Sequence, residues 1–74
     1  MNEINSMKQD FKEGQKVYFL YNVTDEILEG IIYLITQYDI WILHGIYISL
    51  AKPFRTRKEA VAYKNKIDDI AEVK

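Results

Sequence analysis

The chain has 74 residues, of which 49% are hydrophobic and none is cysteine, and its formal net charge is −1. That length provides one small domain, and the absence of cysteine excludes disulfides and thiolate metal sites, so packing alone must stabilise the fold. The hydrophobic fraction is too high for a disordered chain, while no apolar run reaches the length of a signal peptide or a membrane span. We therefore expect a soluble, cytoplasmic domain.

Residues 1–12 are predicted to lead into the domain of residues 13–74. Ile4, Met7 and Phe11 are spaced three and four apart, as on one face of a helix, and Gly14 stands where such a helix would end. The lead is either this short helix or a frayed terminus in which Phe11 alone packs under the sheet and Gly14 turns the chain into the first strand. An isolated helix of this length is marginal in water, which favours fraying.

The first two strands follow. Residues 16–22 are dense in β-branched and aromatic side chains and predict a strand that is apolar on both faces, which requires cover on both sides. After the turn formers of residues 22–26, residues 27–37 predict a longer second strand that contains Gly30. Because a glycine within a strand marks a bulge or a bend, we expect the second strand to bend at Gly30.

A hairpin is predicted next. Residues 40–43 and 46–51 have strand character, and His44-Gly45 between them is a candidate two-residue turn. Alternation assigns one set of side chains to the core and the other set to the opposite face. The predicted core set is Ile40, Ile42, Ile46, Ile48 and Leu50, and the opposite set is Trp41, Leu43, Tyr47 and Ser49.

The chain changes from sheet to helix between residues 52 and 60. Pro53 marks an edge strand or a strand end, and Phe54-Arg55 is predicted to form a short fifth strand. Thr56 and Glu59 have the spacing of a capping box, so the helix is predicted from about residue 57 to 71. Its apolar stripe needs a sheet surface to cover. That stripe contains Ala60, Tyr63, Ile67 and Ile70.

This order of elements predicts a mainly β protein with a C-terminal α-helix. Several short antiparallel strands, the second of them long and interrupted by glycine, are typical of a small five-stranded antiparallel Src-homology-3-like barrel. The helix would cover an apolar face or an open end of that barrel.

Three blocks of sequence carry a resemblance. The first block, Gly14 to Tyr18, has the pattern Gly-x-x-Val-Tyr. The second, Ile27 to Ile32, is a strand that contains Glu-Gly. The third, Phe54 to Ala60, has the pattern Phe-x-Thr-x-x-Glu-Ala. In this layout the chain resembles small Src-homology-3-like barrel proteins of unknown function that are encoded by phages and mobile elements of Gram-positive bacteria. The resemblance implies a fold and a genomic context, and it implies no activity.

Catalytic chemistry is not predicted. The serines are Ser6 in the lead and Ser49 in a strand, and the one histidine, His44, is placed in a turn where we expect it to be solvated. One histidine with scattered carboxylates has no metal-ligand spacing, and three scattered glycines form no phosphate loop. We therefore predict a non-enzyme with no catalytic, cofactor-binding or metal-binding residue and no cofactor.

Charge is segregated along the chain. Residues 1–51 hold three Lys and seven acids (net −4), residues 52–66 hold six basic residues and Glu59 (net +5), and residues 67–74 have a net charge of −2. This predicts a basic patch that meets an acidic protein or nucleic acid, and the alternative is an ordinary solvated helix face. The patch consists of Lys52, Arg55, Arg57, Lys58, Lys64 and Lys66.

Aromatic side chains on the strands are the second candidate for binding. Tyr and Trp bind stacked bases, proline-rich peptides and flat protein surfaces, and the alternative is that they pack under the helix or against each other. The partner-binding candidates among them are Tyr38, Trp41 and Tyr47.

The sequence thus favours a small binding module. The leading hypothesis is a phage or mobile-element accessory protein that docks on a host protein and modulates it, with no membrane partner. The alternative is a nucleic-acid-binding barrel that uses the basic patch of residues 52–66. Self-association through an exposed strand edge is a further alternative.

Overall fold

A computed structural model describes the backbone of residues 11–72 and the side chains of residues 11–68. Within that range the strands are β1 (Lys16–Tyr21), β2 (Glu26–Ile35), β3 (Ile40–His44) and β4 (Tyr47–Leu50), and the helix is α1 (Arg57–Glu72). The strands form one antiparallel sheet in the order β1-β2-β3-β4. The predicted lead of residues 1–12 lies outside the described residues except for Phe11 and Lys12.

The mainly β fold with a C-terminal helix is confirmed, and the sheet is not closed into a five-stranded barrel. In place of a fifth strand, Phe54 forms one isolated bridge to Tyr18 on the edge of β1. Both backbone hydrogen bonds of this bridge are 2.8 Å long. Pro53 and the helix cap at Thr56 leave two residues between them, which is too few for a strand.

The core lies on one face of the sheet. Val17 and Phe19 of β1 are fully buried there against side chains of β2 and β3, and Phe11 packs on the same cluster. Gly14 adopts a φ of 90° and donates its N–H to the Ile32 carbonyl at 2.7 Å. Phe11 therefore packs under the sheet and Gly14 turns the chain into β1, as the frayed alternative predicted for these two residues.

The helix packs on the other side of β1 and on the adjoining part of β2. Ala60 is fully buried, and the Tyr63 ring lies 5.1 Å from the Phe54 ring. At the helix start, Thr56 Oγ1 accepts the Glu59 N–H at 3.2 Å and lies 3.2 Å from the Glu59 carboxylate. The predicted N-cap at Thr56 is thus present, whereas the Glu59 carboxylate accepts from the Thr56 hydroxyl and not from the Thr56 N–H of a full capping box. Strand β1 is covered on both faces, as its composition required. Within the described residues, no helix has the apolar length needed to cross a membrane.

The bend predicted at Gly30 is wrong in its mechanism. The irregularity of β2 lies between Ile32 and Leu34, where Tyr33 and Leu34 together oppose Trp41. Gly30 instead has no room for a side chain, because an added Cβ would lie 2.5 Å from Ile42 Cγ2 and 2.9 Å from the Leu43 carbonyl oxygen. The glycine is required by close approach of the strands, a second use of glycine within sheets.

The predicted hairpin turn and the core assignment of β4 are also wrong. The turn is Gly45-Ile46, with Gly45 at a φ of 60° as in a type II′ turn, and His44 pairs with Tyr47. In any two-residue hairpin, an even-numbered residue pairs with an odd-numbered one. Tyr47 and Ser49 therefore share the side of Ile42, whereas three residues predicted for the core are exposed. These are Ile46 (88% exposed), Ile48 (47%) and Leu50 (53%).

Replacing Gly30 by Ala tests the close approach of the strands. We expect a loss of about 1–3 kcal/mol in the free energy of unfolding, because the added methyl group must displace Ile42 or the β3 backbone. Thermal and urea unfolding provide the measurement. Asn65→Ala is the control, since this side chain is exposed on the helix and alanine favours a helix, so its stability should not fall. A Gly30→Ala variant as stable as the parent would contradict this packing.

Replacing Thr56 by Ala removes the hydroxyl that accepts the Glu59 N–H. We expect a loss of about 1 kcal/mol, which is several degrees of Tm in a domain of this size. Thr56→Ser keeps the hydroxyl and should retain most of the stability. If the alanine and serine variants melt together at the parent temperature, the helix does not begin at this cap.

Candidate functional site

Four basic side chains lie where the chain passes from sheet to helix, beside the Tyr18–Phe54 bridge. We call this set, Lys52, Arg55, Arg57 and Lys58, the basic corner. Residues 52–55 follow the edge of β1, and Arg57 and Lys58 are the first two residues of α1. Local structure therefore brings four of the six predicted basic residues to one end of the molecule.

Aromatic rings position three of these cations. Lys52 Nζ lies 5.6 Å from the Phe54 ring centroid and 5.3 Å from that of Tyr63. Arg57 Cζ lies 5.6 Å from the Tyr18 ring, and Arg55 Cζ lies 5.8 Å from the Phe11 ring. A ring attracts a cation through its quadrupole and leaves the net charge in place. The corner thus holds ordered positive charge at the surface.

The other two predicted basic residues are separate from this arrangement. Lys64 Nζ lies 3.0 Å from the Asp68 carboxylate and 3.4 Å from that of Asp25, in the β1–β2 turn. Hydrogen bonds to Asp68 and then to Asp25 raise the pKa of Lys64. Lys64 therefore ties the helix to the sheet. Lys66 is exposed on the helix and forms no ion pair with a described acid.

The three aromatic candidates do not form one site. Tyr38 is 71% exposed in the β2–β3 loop, and Tyr47 is 59% exposed near the ring of His44. Trp41 is half-buried on the opposite side of the sheet, between Leu34 and Leu50 in register. Two of the three are thus well exposed, and they lie in different surroundings.

His44 is buried, which corrects the prediction of a solvated turn residue. Its Nε2 lies 2.6 Å from Ser49 Oγ, and its ring lies 4.9 Å from Phe19 and 4.8 Å from Tyr21. The pair has the spacing of a nucleophile and a base, but no described acid hydrogen-bonds the imidazole to orient it. Ser49 Oγ therefore supplies the hydrogen-bond partner that the buried imidazole of His44 requires. Extending the alternation of Ile40 and Ile42 by one more pair of residues would have placed His44 inside.

A small-molecule or metal site is not evident in the part of the chain that the structure describes. Two shallow cavities, of about 230 and 200 Å³, lie between the ends of β1 and β4 and share Leu20, Asn22, Leu50 and Ala51. Small-molecule sites are typically larger, from about 300 Å³ upward. No group of three described His, Asp or Glu side chains is placed to hold a metal ion. The candidate sites that remain are surfaces.

One surface was not predicted as a site. The side of β2, β3 and β4 away from the core carries two cross-strand rows, Ile31–Leu43–Ile48 and Leu34–Trp41–Leu50. We call these six residues the apolar sheet face. Pairing β4 with β3 across the hairpin would have revealed this face from the sequence. Ile48 and Leu50, which we predicted for the core, then fall on the side away from it.

Compared with protein-family models, curated proteins and solved structures, the chain matches none of them. The resemblance to phage-encoded small barrels therefore stays a prediction that rests on three blocks of sequence.

Replacing Ser49 by Ala tests the His44 contact. We expect a loss of about 1–2 kcal/mol, because a buried imidazole nitrogen is left without its partner. Unfolding in urea measures the change. Ser49→Thr keeps the hydroxyl on a strand-favouring residue and should stay close to the parent. Equal stability of the alanine variant and the parent would mean that water or another group satisfies His44.

Proposed function

We propose that the protein is a non-enzymatic binding module that docks through its basic corner on an acidic surface of a partner protein. One observation carries the proposal. Lys52 and Arg57 are ordered over aromatic rings, and Lys58 forms no ion pair with a described acid. Positive charge that is held in position but not neutralised is suited to an acidic partner.

Local stability does not account for this charge. Arg57 and Lys58 occupy the first turn of α1, where the positive end of the helix dipole disfavours cations. The one acid of that turn, Glu59, is engaged with Thr56. A bound carboxylate would compensate both the side chains and the dipole, so the arrangement favours an anionic partner.

A protein surface fits the corner better than a nucleic acid does. Lys52 lies over the rings of Phe54 and Tyr63, and both rings are half-buried, which leaves little ring surface for base stacking. Residues 1–51 also carry a net charge of −4, which repels a long polyanion. Nucleic-acid binding through residues 52–66 is the second candidate and is distinguished by the salt dependence of binding.

The context of the proposal comes from the sequence resemblance. It supports an accessory protein of a phage or mobile element that acts in the cytoplasm by modulating a host protein. The bridge between Phe54 and Tyr18 supports the finer proposal of a relationship to Src-homology-3-like barrels, since a fifth strand of such a barrel would pair with β1 at this edge.

Replacing Arg55, Arg57 and Lys58 together by Gln tests the docking surface. We expect a stability equal to or slightly above that of the parent, because the cations that oppose the helix dipole are removed. Capture of partner proteins from a Gram-positive lysate should fall by at least about tenfold. Circular dichroism melts and quantitative pull-down measure the two effects.

A control variant carries the same change in charge elsewhere. Lys8, Lys66 and Lys74 are replaced by Gln, and capture should be retained. If the variant with Arg55, Arg57 and Lys58 replaced captures partners at full strength, the basic corner is not the docking site. Labelled DNA or RNA distinguishes the second candidate, since phosphate contacts weaken steeply with salt. Tight, salt-sensitive binding of nucleic acid that the corner variant loses would overturn protein docking in favour of that candidate.

A further inference from the structure

Most of the apolar sheet face is exposed, because no described strand or helix packs over it. Ile31, Leu34, Ile48 and Leu50 are between 42% and 53% exposed, and Leu43 and Trp41 complete the two rows between them. Cross-strand neighbours of this kind lie in contact, so the six side chains form one continuous surface. Helix α1 packs mainly on β1 and β2, and its Tyr63 and Ile67 line a cavity with Leu50 at the end of β4. Ile48, Leu43 and Ile31 line neither of the two cavities, so this part of the face lies away from the helix.

We infer that this face is the contact surface between two copies of the chain, packed face to face about a two-fold axis. The inference is independent of the proposed docking function, because the six residues of the face include none of the four residues of the basic corner.

Charge at the rim of the face suits a second copy. The six residues of the face are uncharged, and the end of the row next to β1 carries one cation and one anion, Lys16 and Glu29, 3.4 Å apart. A two-fold axis brings the same surface of each copy together, so Lys16 can meet Glu29 of a second copy, whereas a rim of one sign would repel itself. A net charge of −1 adds little long-range repulsion.

The area also suits a dimer. Five side chains at the face, the four above and the adjacent Tyr33, are 42–54% exposed. At about 200 Å² for a large side chain, they present roughly 500 Å² per copy, which is at the upper end for a monomer. Two such faces bury about 1,000 Å², the lower limit for a specific interface, so the dimer is weak and reversible.

The symmetry of the contact limits this assembly to two copies. An isologous contact that uses one face of each copy closes on itself. Growth into a fibre would require a second, different surface. The contact therefore predicts a dimer rather than a concentration-dependent series of larger species.

Sedimentation equilibrium of the full chain tests the inference. From about 10 µM to about 1 mM, the mean mass should rise from 8.8 kDa towards twice that value, as expected for an interface of this size. Trp41, the one tryptophan of the chain, lies on the face, so its emission should shift to shorter wavelength over the same range. A mass that stays at 8.8 kDa would overturn the inference, and the apolar sheet face would then be a contact surface for a different protein.

Substitutions locate the contact. Ile48→Lys places a charge on the face in both copies and should abolish the rise in mass and the shift of Trp41 emission. Thr24→Lys adds the same charge at an exposed residue of the β1–β2 turn that lines neither cavity, and it should leave both intact. If I48K does not fold, Ile48→Gln should weaken the dimer by at least about tenfold. Retention of the dimer by a folded Ile48 variant, or its loss in T24K, would place the contact elsewhere.

Discussion

Two backbone hydrogen bonds between Tyr18 and Phe54 fix the position of everything that follows the sheet. They hold Phe54 against the edge of β1, so that the helix begins beside the strand it must cover. The Tyr18 side chain then lies under Arg57, and Lys52 lies over the neighbouring rings of Phe54 and Tyr63. One bridge thus closes an exposed strand edge, docks the helix and assembles the basic corner.

Features encoded by neighbouring residues were predicted from the sequence. The capping box depends on two residues three apart, and the two-sided burial of β1 depends on an unbroken run of apolar side chains. Both are local; the two-sided burial is present, and of the capping box the bond from the Glu59 N–H to the Thr56 hydroxyl is present. Phe11 and Gly14 were also placed correctly in the frayed alternative, because a glycine with positive φ turns the chain just before the strand begins.

Features that depend on pairing between strands were predicted less well. Gly30 was expected to bend β2, yet it is needed because Ile42 and the Leu43 carbonyl approach it from β3. The residue that breaks the register is Tyr33, and nothing local distinguishes it. The parity of β4 was assigned along the chain instead of across the hairpin, which placed Ile48 and Leu50 in the core. The turn was placed one residue too early, which put His44 in solvent.

The candidate site was predicted in part, because the net charge of a sequence segment does not show which of its charged side chains lie together in the fold. Lys64 belongs to the same basic segment as Lys52, but it is paired with Asp68 on the helix and with Asp25 from a distant turn. The rings beneath Lys52 and Arg57 come from β1, from the bridge and from the helix, so their contact with the cations requires the assembled fold. The apolar sheet face likewise appears only when three strands are in register.

Native-state hydrogen exchange at the Phe54 amide tests most directly whether the Tyr18–Phe54 bridge organises the molecule. This amide should exchange only through global or near-global unfolding, with protection similar to that of the Ile32 amide, which bonds to the Gln15 carbonyl. The Tyr18 amide should show the same protection. Exchange of Phe54 at the rate of an exposed loop, while Ile32 stays protected, would show that the bridge opens independently of the sheet and that the basic corner is not held in place by it.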